Sequence, residues 1–145
     1  MQMNFLRSFE SGAQKQVKSH FTNLMTVAMA DGKLAEAEYN YLLRLGEKFF
    51  MSEEDVKNVM ENAKHYSFVA PSQKAERTEQ LKDLVAMLLI DGKILAEEIN
   101  MCKKFALALH YKPEVVVKIV NCLISYSNKE FDKYDVLADI EDIVD

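Results

Sequence analysis

The sequence predicts a single all-α domain of about seven helices over residues 1–145, on the strength of three observations. Apolar residues recur at intervals of three and four through most of the chain, as they do on the buried face of a helix. Four Gly and two Pro leave little material for the many turns of an all-β fold. The segment Asp31–Leu34 with Glu38 recurs sixty residues later as Asp91–Ile94 with Glu98, which indicates an internal duplication.

The first repeat unit is predicted at about residues 14–64 and contains three helices, preceded by a short N-terminal turn. Its first helix ends at Asp31-Gly32, where Gly can adopt the left-handed conformation that closes a helix. Its third helix begins after Ser52, a preferred N-cap residue that is followed by three acidic residues. The apolar residues assigned to the turn and to these helices are Phe5, Leu6, Phe9, Val17, Phe21, Leu24, Met25, Ala28, Leu42, Leu45, Phe49, Val56, Val59 and Met60.

The second repeat unit is predicted at about residues 73–126, after a connector that contains Pro71. It repeats the order of the first unit, with a long helix to Ile90, a turn at Asp91-Gly92, a second helix and a third that begins at Pro113. Proline suits the first position of a helix because the N–H that it lacks would have no partner there. The apolar positions that match across the two units include Leu45 with Phe105 and Val59 with Ile119.

A last amphipathic, acidic helix is predicted at about residues 130–144. It can fold back over the core or be offered to a groove on a partner. Neither three-helix unit can bury its apolar face alone, so we expect the two units to pack about a pseudo-twofold axis. Both Asp-Gly turns would then lie on the same side of the domain. The apolar residues of the last helix are Phe131, Tyr134, Leu137, Ile140 and Val144.

The composition excludes several functional classes. A formal net charge of −5 argues against nucleic acid as a partner, since that binding depends on clustered Lys and Arg. The four Gly are separated from one another, so no glycine-rich phosphate loop is present. No residues at catalytic spacing were found, and we predict that the protein is not an enzyme.

The histidines and cysteines do not form a recognisable site. His20, His65 and His110 lack metal-ligand spacing and are expected at surface or boundary positions. Cys102 and Cys122 are expected to be reduced and packed, because both lie within apolar stretches.

No membrane segment is predicted. The longest apolar run, from Leu84 to Ile90, is far shorter than the ~20 residues that a membrane-spanning helix needs. The first residues of the chain lack the charged start and the long apolar stretch of a signal peptide. We therefore expect a cytoplasmic protein.

The spacing Asp-Gly-x-aliphatic-x-x-x-Glu also forms the second half of a calcium-binding EF-hand loop. In such a loop the first two acidic ligands precede this segment. Those positions hold Val27 and Met29 in one copy and Met87 and Leu89 in the other, and these residues continue a helix. A true EF-hand is therefore not predicted.

Three interpretations of the Asp-Gly turns remain open. In the first, each Asp bonds a nearby backbone N–H and each Glu favours the positive start of the next helix. In the second, the carboxylates converge and bind a divalent cation such as Ca²⁺ or Mg²⁺. In the third, they form an acidic docking patch for a basic protein partner. The residues concerned are Asp31, Glu38, Asp91 and Glu98.

The turns carry a family resemblance. Met29-Ala30-Asp31-Gly32 followed by Glu38, with a second Asp91-Gly92 followed by Glu98, resembles the TerB-like tellurite-resistance domain, over about residues 15–125. That family is also similar to the N-terminal region of some membrane-anchored DnaJ-type co-chaperones. The resemblance implies an all-α, pseudo-twofold domain with an acidic surface, a link to stress responses, and metal binding. It assigns the acidic site to Asp31, Glu38, Asp91 and Glu98, while Ile90 stands where the family usually has Ala.

Overall fold

The computed structural model describes residues 12–30 and 34–145, and these residues form seven α-helices and no strand. The helices are α1 (Gly12–Ala28), α2 (Glu36–Lys48), α3 (Glu53–Ala63), α4 (Lys74–Leu88), α5 (Ala96–Ala108), α6 (Pro113–Ser127) and α7 (Lys133–Val144). The predicted all-α class is confirmed. The N-terminal turn with Phe5, Leu6 and Phe9, the side chain of Val17, and the first Asp-Gly pair, Asp31 and Gly32, lie outside the described residues. None of the seven described helices combines the length and the apolar content needed to cross a bilayer.

The helix boundaries repeat at an interval of sixty residues. Helices α1 and α4 end sixty residues apart, α2 and α5 both begin and end sixty apart, and α3 and α6 begin sixty apart. Ser52 caps α3 through a hydrogen bond of 3.1 Å from the Asp55 N–H, and α6 begins at Pro113, so both predicted starts are confirmed. The two halves of the chain therefore share their local structure.

Helices α2 and α5 also end in the same way. Phe50 and His110 follow them in the left-handed region, with φ of 63° and 68°. The next residue then donates its N–H back across the helix end, from Met51 to the Gly46 carbonyl at 2.8 Å and from Tyr111 to the Ala106 carbonyl at 3.2 Å. This is the Schellman pattern of helix termination, here made with bulky residues instead of glycine.

The buried side chains form one hydrophobic cluster to which all seven helices contribute. Helix α1 packs on α3, α4 and α5, and α5 packs in addition on α2, α4 and α6. The sequence-matched residues Leu45 and Phe105 are both buried, at 2% and 1% exposed. Of the second matched pair, Ile119 is fully buried and Val59 only partly. Helices α1 and α5 thus lie at the centre of the core.

The packing of the two units differs around the C-terminal helix. Helix α1 packs directly along α3, whereas α7 packs on both α4 and α6 and covers the space between them. Its buried residues are Val136, Ile140 and Val144, two of which belong to the predicted apolar stripe. The acidic C-terminal helix therefore folds back on the second unit, and the fold-back alternative is confirmed.

The connector between the units is held in place by side-chain contacts. The Phe68 ring packs against the Phe105 ring, with 5.2 Å between their centroids. The Arg77 guanidinium donates to the carbonyls of Pro71 and Ser72 at 3.1 and 2.9 Å. The connector predicted around Pro71 therefore belongs to the packed structure.

Emptying equivalent core positions should destabilise both units. We expect Leu45→Ala and Phe105→Ala each to lower the free energy of unfolding by about 2–5 kcal/mol, because each leaves a cavity at a nearly inaccessible position. Urea denaturation measures the loss. Leu107→Ala, on the same helix as Phe105 but 46% exposed, is the matched control and should stay within ~0.5 kcal/mol. A core variant as stable as this control would contradict the assigned packing.

Candidate functional site

The candidate site lies along the crossing of α2 and α5, which we call the α2–α5 seam. Three polar side-chain pairs link the two repeat units there. They are Glu38 with Lys104, Tyr41 with Glu98, and Lys48 with Asp91. As residue numbers rise along α2 their partners' numbers fall, so the two helices cross in antiparallel directions. Five of these six residues lie on the two helices, and Asp91 lies on the turn before α5.

Glu98 is the most enclosed carboxylate of the seam, with 4% of its surface exposed. It lies in the first turn of α5, and its Oε1 accepts a hydrogen bond of 2.7 Å from the Leu95 N–H. Its Oε2 accepts a second one, of 2.6 Å, from the Tyr41 hydroxyl of α2. Glu98 thus caps the start of its own helix and in addition joins the two units.

The electrostatics of this pair follow from its burial. Burial raises the pKa of Glu98, because the carboxylate leaves water, although its two hydrogen bonds work in the opposite direction. Burial, followed by the adjacent Glu98, also raises the pKa of Tyr41. The phenol therefore stays protonated and acts as the donor.

Glu38 occupies the equivalent position of the first unit but has a different partner. It is 8% exposed, and its Oε2 accepts from the Lys104 ammonium at 3.4 Å. The residue equivalent to Tyr41 in the second unit is Met101, whose side chain has no O–H to donate. The seam therefore holds its two buried glutamates by different chemistry.

Asp91 lies on the turn between α4 and α5. Gly92 follows it with φ of +71°, so the left-handed glycine predicted for this turn is confirmed. The described partner of Asp91 is the Lys48 ammonium, and not a backbone N–H as the capping interpretation expects. Lys48 lies in the last turn of α2, where a cation also favours the helix dipole. Both side chains are about two-fifths exposed, and such surface pairs contribute ~0–1 kcal/mol.

The predicted site residues are only partly brought together. Asp91 and Glu98 lie near enough for their charges to repel, while Glu38 is bound by Lys104. Asp31 lies outside the described residues. Within residues 12–30 and 34–145, no three His, Cys, Asp or Glu residues are grouped so that they could hold a metal ion.

The histidines and cysteines behave as the sequence predicts. His20 is half-buried, with Nε2 at 3.3 Å from an Asp83 carboxylate oxygen, while His65 and His110 are exposed. Cys102 and Cys122 are free thiols, the first buried and the second half-buried. Burial raises the pKa of the Cys102 thiol to about 12, so this group stays protonated and unreactive at neutral pH.

Sequence reasoning missed Tyr41, Lys48 and Lys104 as members of the seam. Tyr41 carries the one usable signal, since an aromatic residue with a polar tip at a buried helical position needs a hydrogen-bond partner. The two lysines carry none, because a lysine on a helix is normally solvated.

Comparison with protein-family models, with curated proteins and with solved structures finds no match to this chain. The likeness to the TerB-like domain accordingly rests on the residues of the two Asp-Gly turns and the glutamates that follow them.

Removing the Tyr41 hydroxyl tests the central contact. Tyr41→Phe keeps the ring but leaves Glu98 Oε2 buried without its donor, so we expect a loss of about 1–3 kcal/mol in the free energy of unfolding. Tyr39→Phe, on the same helix and half-buried, is the matched control and should change stability little. If Tyr41→Phe and Glu98→Gln prove additive in a double-mutant cycle, the hydrogen bond is not energetically coupled as we infer.

The raised pKa of Glu98 gives a signed pH dependence. At pH values between the ordinary carboxyl pKa of 4.5 and the higher pKa of Glu98 in the folded protein, the folded state binds more protons than the unfolded state. The free energy of unfolding should therefore decrease as pH rises through this window. Glu98→Gln lacks this contribution, so wild-type stability minus variant stability should fall with rising pH in urea denaturation at a series of pH values. A difference that rises with pH would reverse the assignment.

Proposed function

We propose that this chain is a non-enzymatic binding module of the TerB-like type, associated with stress responses, that binds a divalent cation or a basic partner at an acidic surface. Ca²⁺ and Mg²⁺ are the cations suited to carboxylate oxygens. The ligand surface is built from the two Asp-Gly turns and their following glutamates, related by a pseudo-twofold axis. Its residues are Asp31, Glu38, Asp91 and Glu98.

The repeated local structure supports a duplicated origin for this surface. Four helix boundaries recur sixty residues apart, and α2 and α5 both end in the same Schellman pattern. Glu38 and Glu98 occupy equivalent first-turn positions, and both are buried. A related pair of turns is the arrangement that a pseudo-twofold site requires.

The observation that carries the binding proposal is that Asp91 is partly exposed and contacts only a surface lysine among its described partners. It is held by a surface ion pair to Lys48, which is weak enough for a doubly charged cation or an arginine-rich partner to displace. A small cavity of about 80 Å³ lies beside Asp91, and its lining also includes the cations Arg44 and Lys48. A metal cation would therefore bind there only after Lys48 has turned away from Asp91. A cation there would also relieve the repulsion between Asp91 and Glu98.

A second candidate is a purely structural or adaptor domain for protein–protein interaction, in which the acidic residues only hold helices. The observation that favours it is that the three proposed site carboxylates within the described residues already have protein partners. Glu38 contacts Lys104, Asp91 contacts Lys48, and Glu98 accepts from the Tyr41 hydroxyl and the Leu95 N–H. In this case the seam needs no ligand to be complete. The two candidates differ in whether Asp91 exchanges its partner.

Calorimetric titration separates the two. With Ca²⁺ or Mg²⁺, or with an octa-lysine peptide as the basic probe, the binding module should give saturable heat. Asp91→Asn should weaken that binding at least tenfold, since one charged ligand is lost. Asp142→Asn, an exposed acid on α7, is the matched control and should leave the affinity unchanged.

The opposite outcome is equally specific. No heat at millimolar metal or peptide, together with the same melting temperature with and without chelator, would remove the binding proposal and leave the structural one. If binding is found, Asp31→Asn combined with Asp91→Asn tests whether the turns share one site. Independent, additive effects on affinity would mean two separate sites.

A further inference from the structure

A cleft of about 850 Å³ lies between α5 and the first unit, and it shares no lining residue with the cavity beside the Lys48–Asp91 pair. The C-terminal parts of α1, α3 and α5 form its walls, together with the connector after α3. Helices α3 and α5 each pack on α1, and among the described residues they make no substantial contact with each other. The cleft is the space left where these two helices diverge.

The walls of the cleft are mainly apolar. Val27 and Met29 come from α1 and the residues after it, Phe68 from the connector, and Leu107 from α5. Leu107 is 46% exposed and Phe68 is half-buried, so apolar surface faces the opening. A volume of this size lies within the roughly 300–1,000 Å³ typical of small-molecule sites.

Of the Asp, Glu, Lys, Arg and His types, the described lining holds only basic ones, and two of these residues are lysines. Lys64, Lys104 and His110 line the cleft, and no Asp or Glu is among its described lining residues, although the whole chain carries a net charge of −5. Lys64 and Lys104 each contact one carboxylate outside the lining, at 2.9 and 3.4 Å. An ammonium has three donors, so each lysine can bind a further carboxylate without losing its present one.

The C-terminal ends of α1, α3 and α5 border the cleft and disfavour an anion placed directly against them. Each helix C-terminus carries a partial negative charge of about half an electron, confined to the last turn. The carbonyls there already accept backbone N–H groups, as in Tyr66 to Ala63 at 3.3 Å and Tyr111 to Ala106 at 3.2 Å. An anionic head group is therefore expected at the two lysines and away from the helix ends.

We propose that this cleft binds a long-chain carboxylate, with the alkyl chain against Met29, Phe68 and Leu107 and the head group at Lys64 and Lys104. The apolar walls match the chain, and the basic rim matches the charge of the head group. None of the proposed cation ligands is among the described lining residues of this cleft, although Lys104 also contacts Glu38. Titration with a carboxylate in metal-free buffer therefore tests this proposal separately from the cation site.

Isothermal titration with sodium dodecanoate, below its micelle concentration, tests the proposal on the full chain. We expect saturable binding to one site. Dodecyltrimethylammonium, with the same alkyl chain and the opposite charge, should bind at least tenfold more weakly. Decanoate and octanoate should lose affinity by up to about fourfold for each methylene removed, as expected for a buried alkyl chain.

Two substitutions to glutamate provide a matched pair. Leu107→Glu adds a negative charge to the cleft wall and should weaken dodecanoate binding at least tenfold. Val117→Glu, on an exposed face of α6 outside the cleft, should leave the affinity within twofold. If Leu107→Glu melts too early to be titrated, Lys64→Gln replaces it and should weaken binding at least threefold.

Three results would overturn the proposal. One is the absence of saturable dodecanoate binding, and another is binding of the alkylammonium as tight as that of the carboxylate, which would make the cleft unselective or a cation site. The third is an affinity that Leu107→Glu, or Lys64→Gln in its place, leaves unchanged, which would put the bound chain elsewhere on the protein.

Discussion

The structure depends on how the buried Glu98 carboxylate is satisfied. A buried acceptor without a donor costs ~1–3 kcal/mol, and more when it is charged. Glu98 has one donor from its own helix start, the Leu95 N–H, and one from the other repeat unit, the Tyr41 hydroxyl. A shift of one residue along α2 would move its side chains by 1.5 Å and turn them by ~100°, which removes the second donor. The contact therefore fixes the register of the α2–α5 seam, and that register brings Lys48 to Asp91 and Lys104 to Glu38.

The two units share local structure yet differ in packing, and single residues account for part of the difference. A Cβ atom at Gly46 would lie 2.6 Å from Val56 Cγ2, so the absence of a side chain lets α3 approach α2 closely. The equivalent residue of the second unit is Ala106, which has a Cβ atom and is fully buried. In the second unit α7 also packs on α4 and α6, whereas α1 and α3 contact each other directly. The first unit has Tyr41 where the second unit has Met101. Glu98 therefore receives a hydroxyl donor from the first unit, whereas Glu38 contacts a lysine of the second unit.

Much of the fold could be predicted from the sequence because its signals are local. Each of these signals acts within about one helical turn of the chain. The structure confirms the helix start after Ser52, the helix start at Pro113 and the left-handed Gly92. The closures at Phe50 and His110 could not be predicted, because neither residue favours a positive φ. The seam and the cleft were missed for a different reason. Both depend on how helices cross or diverge, and the periodicity of a single helix gives its buried face but not the side chains that it meets on another helix.

Lys104 connects the seam with the cleft, since it binds Glu38 and also lines the cleft wall. A carboxylate bound in the cleft and the buried Glu38 would therefore interact with the same ammonium group. If the ammonium turned fully towards the ligand, Glu38 would be left buried without its cation, at a cost that opposes binding. If it keeps both contacts, the positive charge is shared and the seam stays intact. The more exposed Lys64, whose acidic partner is on the surface, can move at little cost. A head group in the cleft is thus best placed towards Lys64. If it also binds Lys104, the coupling is reciprocal, so ligand binding must change the strength of the contact between α2 and α5.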